Sequence, residues 1–365
     1  MKVICNRNAL ADALSLLATV VSTRTTRPIL QCLRLQTDDD GLTLLATDLE
    51  LGLKCHIKEV EVEEHGQTVA PAAKLSAIVH QIEEQTVTLS LEEEHLAVTA
   101  PGAKFRLYTF DPDEYPPVAP RGDGQTFSAT AGLMTTISQE TIYAAAKETS
   151  RYAINGLHME VKENKIVMVG TDGRRLARAA GILPAKAESE IACIIPGKAV
   201  AMIERLGPDP DVPLEVTVTE NQVAFSTPQT LLISNLVEGR FPNYEAVIPR
   251  DNTTKVKVER NRLLSAVRRA ALMTSKESHS IKMTVEPKLM TIEAKVPEQG
   301  EAVVELPVEG EGEPVTIAFN PEYLTDPLRV IGQDEIVLEF KSSTTPALLK
   351  AGPDFLYVLM PVTTS

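Results

Sequence analysis

Three stretches of this chain open in the same way, and a chain that repeats itself folds as copies of one unit. Residues 2–21 (KVICNRNALADALSLLATVV), 127–146 (FSATAGLMTTISQETIYAAA) and 255–273 (KVKVERNRLLSAVRRAALM) each begin with an alternating strand pattern and pass into apolar residues at helical spacing. A second helix start recurs in each copy, at Pro71-Ala72-Ala73-Lys74, Pro196-Gly197-Lys198 and Asn320-Pro321-Glu322. Proline suits the first helical position because its missing N–H would have no intrahelical partner there, and a small polar residue caps the amides that remain. The register is close: Thr47-Asp48 and Thr171-Asp172 lie 124 residues apart, as do Lys74 and Lys198. Each unit then closes with two alternating strands, at residues 86–91 with 96–99, 214–218 with 223–226, and 336–340 with 357–360. Two one-sided helices per unit need a sheet to cover. The expected class is therefore α+β, with three similar domains of two helices packed on antiparallel sheets. The joins fall in the polar, proline-rich stretches 111–125 and 243–254, which gives domains at 1–120, 126–245 and 254–365.

A hydrophobic content of 43% supports cores of that number and excludes wholesale disorder. Aromatic residues are only 4% and tryptophan is absent, so the cores rest on Leu, Val, Ile, Ala and Met. Cys5, Cys32, Cys55 and Cys193 are widely spaced and form no Cys-x-x-Cys pair, a pattern of reduced core thiols. The opening residues 1–7 do not read as a signal peptide. The apolar run 14–21 is too short to span a bilayer and is interrupted by Ser15 and Thr19. The expectation is a cytoplasmic protein without a membrane partner.

The net charge of −14 argues against ordinary nucleic-acid binding, which rests on Lys and Arg neutralising phosphates. The charge is unevenly placed, however. Windows 7–21, 71–84, 137–151, 197–206, 260–273 and 321–332 hold eleven basic and eight acidic side chains, so the helices net +3 and the remainder −17. Screening confines each charge to about 8 Å at physiological salt, so a mildly basic lining can act beside a duplex while a distant acidic body barely opposes it. Lys- and Arg-rich helix faces also serve solubility alone.

Catalytic signatures are absent: no Gly-x-Ser-x-Gly, no Walker loop, no Gly-x-Gly-x-x-Gly, and no metal-ligand spacing among the six histidines. The stretch Gly170-Thr171-Asp172-Gly173-Arg174-Arg175 looks at first like an acid–base or phosphate loop. Its counterpart Ala46-Thr47-Asp48-Leu49-Glu50 lacks both the glycine and the arginines. Thr-Asp at a strand end is more simply a turn that satisfies backbone amides. No catalytic residue, cofactor or metal is expected.

Six stretches in order carry a resemblance to a known family: residues 24–30 (RTTRPIL), 47–50 (TDLE), 151–156 (RYAING), 171–176 (TDGRRL), 237–244 (VEGRFPNY) and 357–362 (YVLMPV). Over its full length the chain resembles the bacterial sliding clamps, the beta subunit of DNA polymerase III. The resemblance implies the DNA clamp fold, a head-to-tail homodimer whose six domains form a ring, with helices lining the hole and sheets on the rim. It implies an interface between the edge strand at Lys104-Phe105-Arg106-Leu107 and the region of Leu272 and Met273; Phe105 and Leu107 also fit an ordinary core. It implies DNA contacts from Arg24, Lys74, Arg151, Tyr152 and Lys198. An apolar cleft for short partner peptides would involve Ile154, Thr171, Gly173, Arg175, Leu176, Pro242, Val247, Val358, Met360, Pro361 and Val362. The implied partners are duplex DNA, bound topologically and without sequence preference, the replicative polymerase, the clamp loader, translesion polymerases and repair proteins.

The chain departs from the family pattern in several places. Ala153 stands where a second aromatic often follows Tyr152, and Ala73 precedes Lys74 where a basic residue is sometimes found. Glu322 takes the place held by Lys74 and Lys198 in the other repeats, and the ending Val362-Thr363-Thr364-Ser365 lacks the usual basic-apolar terminus. Two other readings remain. One is a small-molecule enzyme using Asp172 and Arg175 in a deep polar pocket, and the other is a repeat scaffold without DNA. On the clamp reading, polar replacement of Met360 and Leu176 abolishes peptide binding and leaves the dimer intact.

Overall fold

Each repeat lays down nearly the same order of elements. The structure, a computed structural model, describes residues 1–22, 24–118, 120–147, 153–207, 209–275 and 279–362. The first repeat runs β1 (Lys2–Asn6), α1 (Arg7–Leu17), β2 (Cys32–Asp38), β3 (Gly41–Thr47), β4 (Leu51–Ile57), β5 (Val60–Glu64) and β6 (Gly66–Pro71). It ends with α2 (Ala72–Gln81), β7 (Thr86–Glu92), β8 (His95–Ala100) and β9 (Ala103–Tyr108). The second runs β10 (Gln125–Thr130), α3 (Ala131–Ile142), β11 (Gly156–Lys162), β12 (Lys165–Thr171) and β13 (Arg175–Ile182). It continues with β14 (Ile191–Pro196), α4 (Gly197–Leu206), β15 (Pro213–Val218), β16 (Gln222–Ser226) and β17 (Thr230–Asn235). The third runs β18 (Thr254–Glu259), α5 (Arg260–Ala271), β19 (Ile281–Val285), β20 (Leu289–Val296), β21 (Gly300–Pro307) and β22 (Glu309–Glu311). It closes with β23 (Val315–Phe319), α6 (Pro321–Val330), β24 (Glu335–Phe340), β25 (Ala347–Ala351) and β26 (Phe355–Leu359).

Helix starts follow local chemistry. The Asn6 side chain accepts the amides of Asn8 and Ala9 and so opens α1, which buries Leu10, Leu14 and Leu17 along one face. Each such leucine contributes about 1.5–3 kcal/mol by leaving water. Asn320 caps α6 through Glu322 N at 2.9 Å, with Pro321 at the first helical position as the sequence suggests. Pro71 and Pro196 differ from expectation. Both are the last residues of strands, opposite Cys32 and Gly156, and the helices begin one residue later. The closing strands differ too: three follow the second helix in each repeat, and β25 lies between β24 and β26, which do not pair directly.

The sheets cross the repeat boundaries. Among the described residues, a five-stranded sheet (β5-β1-β7-β8-β9) belongs to repeat one and a four-stranded sheet (β21-β20-β19-β23) to repeat three. The other two are shared. The eight-stranded sheet runs β10-β15-β16-β17-β4-β3-β2-β6, and the nine-stranded sheet runs β14-β11-β12-β13-β26-β25-β24-β18-β22. Edge strands expose amides and carbonyls, and a neighbouring repeat satisfies them. The chain therefore forms two compact units, residues 1–132 with 201–236 and residues 133–200 with 237–365, which do not coincide with the repeats. In the first unit α1 packs on α2, β3 and β4; in the second α5 packs on α6, β20 and β21. All four cysteines are buried free thiols. Burial pushes those of Cys5, Cys55 and Cys193 up to about 12 and that of Cys32 to about 11.

Candidate functional site

The Thr171–Arg175 stretch is a turn whose side chains serve its own backbone. Thr171 Oγ1 donates to Arg175 O at 2.7 Å and accepts Gly173 N at 3.1 Å. Asp172 Oδ1 accepts the amides of Arg174 and Arg175, and Oδ2 accepts Arg175 Nε at 3.1 Å. The counterpart in repeat one has the same pattern, with Thr47 bonded to Leu51 O and Leu49 N, and Asp48 accepting Glu50 N and Leu51 N. A general base at Asp172 would have to abandon three hydrogen bonds, which speaks against the enzyme reading.

Strand alternation then sorts the neighbouring side chains onto two faces. Thr171 pairs with Leu176, Leu176 with Val358, and Val358 with Leu348, so these share one face of the nine-stranded sheet. On that face Ile154, Leu176 and Val358 join a cluster with Val167, Val169, Ala180, Ile194, Leu348, Phe241 and Tyr244. The segment bearing Phe241 and Tyr244 is pinned down by polar contacts as well. Tyr244 Oη donates to Glu160 Oε2 at 3.0 Å, Glu160 Oε1 meets His158 Nε2 at 2.7 Å, and the His158 ring stacks on Phe241 at 4.8 Å. Burial, followed by the Glu160 charge, pushes the Tyr244 hydroxyl up to about 12.

The remaining cleft candidates flank this cluster. Pro242 and Val247 lie in the same 237–248 segment, Pro242 half-buried and Val247 52% exposed. Met360 is 43% exposed, and its amide donates to Arg174 O at 2.9 Å, which sets the end of β26 beside the turn. Pro361 is half-buried, Val362 exposed, and Gly173 stands exposed at the turn tip with φ of +85°. Leu176 is only 3% exposed, so its polar replacement disturbs the core as well as any groove.

Arg175 points away from this group. It pairs across with Leu359 and shares its face with Tyr357, opposite to Leu176. There it is buried, donating Nη1 to Asp326 Oδ2 and Nη2 to Tyr143 O, each at 2.6 Å, with its guanidinium 4.3 Å from the Tyr323 ring centre. Burial alone would lower its pKa, but the Asp326 bond and the surrounding negative charges raise it further above its ordinary value. Tyr323 is placed by a helix irregularity. Pro327 inside α6 cannot donate to the Tyr323 carbonyl four residues back, and Tyr357 Oη donates to it instead at 2.8 Å. Sequence reasoning assigned no role to Tyr143, Tyr323, Asp326 or His158, and carried Phe241 and Tyr244 only as part of the 237–244 stretch; the scarcity of aromatic residues in the chain was the available signal.

Of the DNA candidates, Arg24 is exposed in the loop after α1, Lys74 is exposed on α2 and Lys198 is exposed on α4. Arg151 and Tyr152 lie outside the described residues. The most basic helix is α5, where Arg262, Arg268 and Arg269 are exposed and no acidic residue occurs. Of the interface candidates, Phe105 is 40% and Leu272 80% exposed, with Leu107 and Met273 half-buried. Phe105 and Leu107 stand on β9, the end strand of its sheet. The Met273 methyl lies 2.8 Å from where a Cβ on Gly300 would sit, so the end of α5 adjoins β21, the end strand of the other small sheet.

Comparison with known proteins gives a consistent result. Residues 1–119, 129–243 and 245–363 match the family descriptions of the N-terminal, central and C-terminal domains of the DNA polymerase III beta subunit. The beta sliding clamp of Pseudomonas putida is 31% identical over 359 residues, covering 98% of each chain. A crystal structure of a sliding clamp from Pseudomonas aeruginosa bound to griselimycin matches all of both chains with a TM-score of 0.96 at 30% identity. The Bacillus subtilis clamp structure does so with 0.95 at 26%.

Proposed function

As the chain belongs to the DNA polymerase III beta-subunit family, the beta sliding clamps, we infer that it serves DNA replication as a processivity factor. A homodimer closes around duplex DNA and tethers the polymerase to its template. The mechanism is topological rather than enzymatic. Retention comes from encirclement, and weak phosphate contacts leave the ring free to slide.

One observation carries the ring: the same strand joint occurs twice inside the chain. β4 meets β17 at Lys54 and Leu231, and β13 meets β26 at Arg178 and Leu356. On one side, strand partners trace from Arg34 through Leu45 to Lys54 and from His158 through Val169 to Arg178. The third repeat gives Lys282, Glu293 and Val303. On the other side, they trace from Ser128 through Glu215 and Ser226 to Leu231, and from Lys257 through Val337 and Lys350 to Leu356. The first repeat gives Ile4, Thr88, Thr99 and Lys104. The halves of a third joint, Val303 on β21 and Lys104 on β9, thus stand on end strands of two different sheets. A second copy completes the joint, with Lys104 opposite the other chain's Val303, Phe105 opposite Ala302 and Arg106 opposite Glu301. Two such head-to-tail joints close six repeats. Leu272 and Met273, beside β21, contribute to the same seam.

The helix windows net +3 in a chain that nets −14 and would face the duplex, with Arg24, Lys74, Arg151, Tyr152 and Lys198 as contacts. The apolar face around Ile154, Leu176 and Val358, rimmed by Gly173, Pro242, Val247, Met360, Pro361 and Val362, seats short peptides of the polymerase, clamp loader, translesion polymerases and repair proteins. Leu, Val and Met walls accept several apolar anchors. The setting is the cytoplasm, and no described helix is long and apolar enough to cross a membrane.

The test is retention on nicked circular DNA after loading by a bacterial clamp loader with ATP, before and after the circle is linearised. Retention in high salt that vanishes on linearisation is expected. Salt-sensitive binding indifferent to DNA ends, or no association at all, would overturn the ring.

A further inference from the structure

We propose that Asp326 is a positioning residue for the partner cleft, acting through Arg175 from the far side of the sheet. This rests on the cleft reading above and names residues that carry it without touching the ligand. Leu176 and Val358, neighbours across β13 and β26, belong to the buried apolar cluster on which the cleft reading rests. The residue just before each in sequence points the opposite way. Arg175 and Tyr357 reach toward α6 and the end of α3.

Three of the Arg175 donors are committed to three separate elements. Nε holds Asp172 and hence the exposed turn, Nη1 holds Asp326 on α6, and Nη2 holds the Tyr143 carbonyl just past α3. The guanidinium plane lies over Tyr323, one turn before Asp326 on the same helix. A cation only 8% exposed depends on such partners, and removing one leaves charge uncompensated in a poorly hydrated place. Asp326 also lies 3.7 Å from Arg329, which is half-exposed and offers a competing partner. Loss of the Asp326 charge frees Arg175 from α6, and the turn that Arg175 holds through Asp172 loses its anchor. Gly173 sits on that turn, and Met360 is bonded to it through the Arg174 carbonyl. The rim of the cleft therefore shifts without any change to a rim residue.

The experiment is calorimetric titration of the full-length dimer with griselimycin, the ligand of the Pseudomonas aeruginosa clamp structure. The proteins are wild type, Asp326→Asn, Asp326→Glu, Arg175→Lys and the Asp326→Asn/Arg175→Lys pair. Thermal midpoint and dimer content are measured alongside. The expected result is an affinity about 3- to 30-fold weaker in Asp326→Asn, the range found for residues that act without contacting the ligand. Asp326→Glu recovers most of it, and the double variant is no weaker than the weaker single one. A loss of general stability would not produce the glutamate rescue together with that non-additivity. Wild-type affinity in Asp326→Asn, or simple addition of the two single effects, overturns the proposal. Failure of the wild type itself to bind is a different outcome, which removes the cleft reading and this inference with it.

Discussion

Leu49 and Gly173 hold the same backbone conformation, with φ of +81° and +85°, at the tips of equivalent turns in the first two repeats. The flanking Thr-Asp pairs bond the backbone identically. A leucine is therefore held where glycine is at ease, at a cost of about 1–2 kcal/mol from the Cβ clash with the backbone. Leu49→Gly removes that clash but adds freedom to the unfolded chain, so stability should stay level or rise by up to about 1 kcal/mol. Gly173→Ala meets no atom within 4 Å and should lose about 1 kcal/mol through backbone strain alone. Urea unfolding of both variants decides; a large loss in Leu49→Gly would mean that the side chain packs against something essential.

Glu140 on α3 gives a pH dependence with a definite sign. Burial, then the negative charge of Asp354, pushes its carboxyl from 4.5 up to about 7. Between those values the folded chain holds a proton that the unfolded chain releases. Its contribution is therefore fully present below pH 4.5, declines as pH rises toward about 7, and is constant above. The group should cost about 1–3 kcal/mol at pH 8 relative to pH 4. Glu140→Gln should raise the thermal midpoint at pH 8 and flatten this part of the profile. Parallel profiles for wild type and variant would show that Glu140 does not titrate in this range.

The exposed rim of the proposed cleft can be altered without touching the core. Val247→Glu with Met360→Glu changes two side chains that are about half in water, so stability should move by no more than about 0.5 kcal/mol per site. On the cleft reading, griselimycin affinity should fall at least about tenfold, since two apolar contacts would be lost and charges brought to a surface that the ligand covers. Unchanged affinity with an intact dimer would place the ligand elsewhere.

The inferred joint between β9 and β21 puts Arg106 opposite Glu301 of the second copy. Arg106→Glu should weaken the dimer by about 2- to 30-fold, as a favourable cross-strand pair of 0.2–1 kcal/mol becomes repulsive. Adding Glu301→Arg should restore most of it. Sedimentation equilibrium reads both, and a double variant as weak as the single one would mean a different register.

Much of this was legible in the residues, for reasons that differ from element to element. Five of the six helices lie close to where apolar spacing and starts such as Asn320-Pro321 put them, because helix formation depends on neighbours three and four residues away; the exception is α3, expected over 137–151 and found at Ala131–Ile142. The turns at Thr47-Asp48 and Thr171-Asp172 were legible because their bonds close within four residues. The resemblance of the six motifs supplied the family. By contrast, β25 was missed between β24 and β26, since a short buried run such as ALLKA carries no decisive alternation.

The sequence by itself determined three repeats, their helices, their turns and their kinship, all of which are written in short-range patterns. Only the tertiary structure decided that the sheets run across the repeats, joining β4 to β17 and β13 to β26. Only it set Arg175 on Asp326, 151 residues further along the chain. Strand partners and buried ion pairs are chosen by whatever comes to lie within a few ångströms after folding, and no local pattern encodes a neighbour that distant.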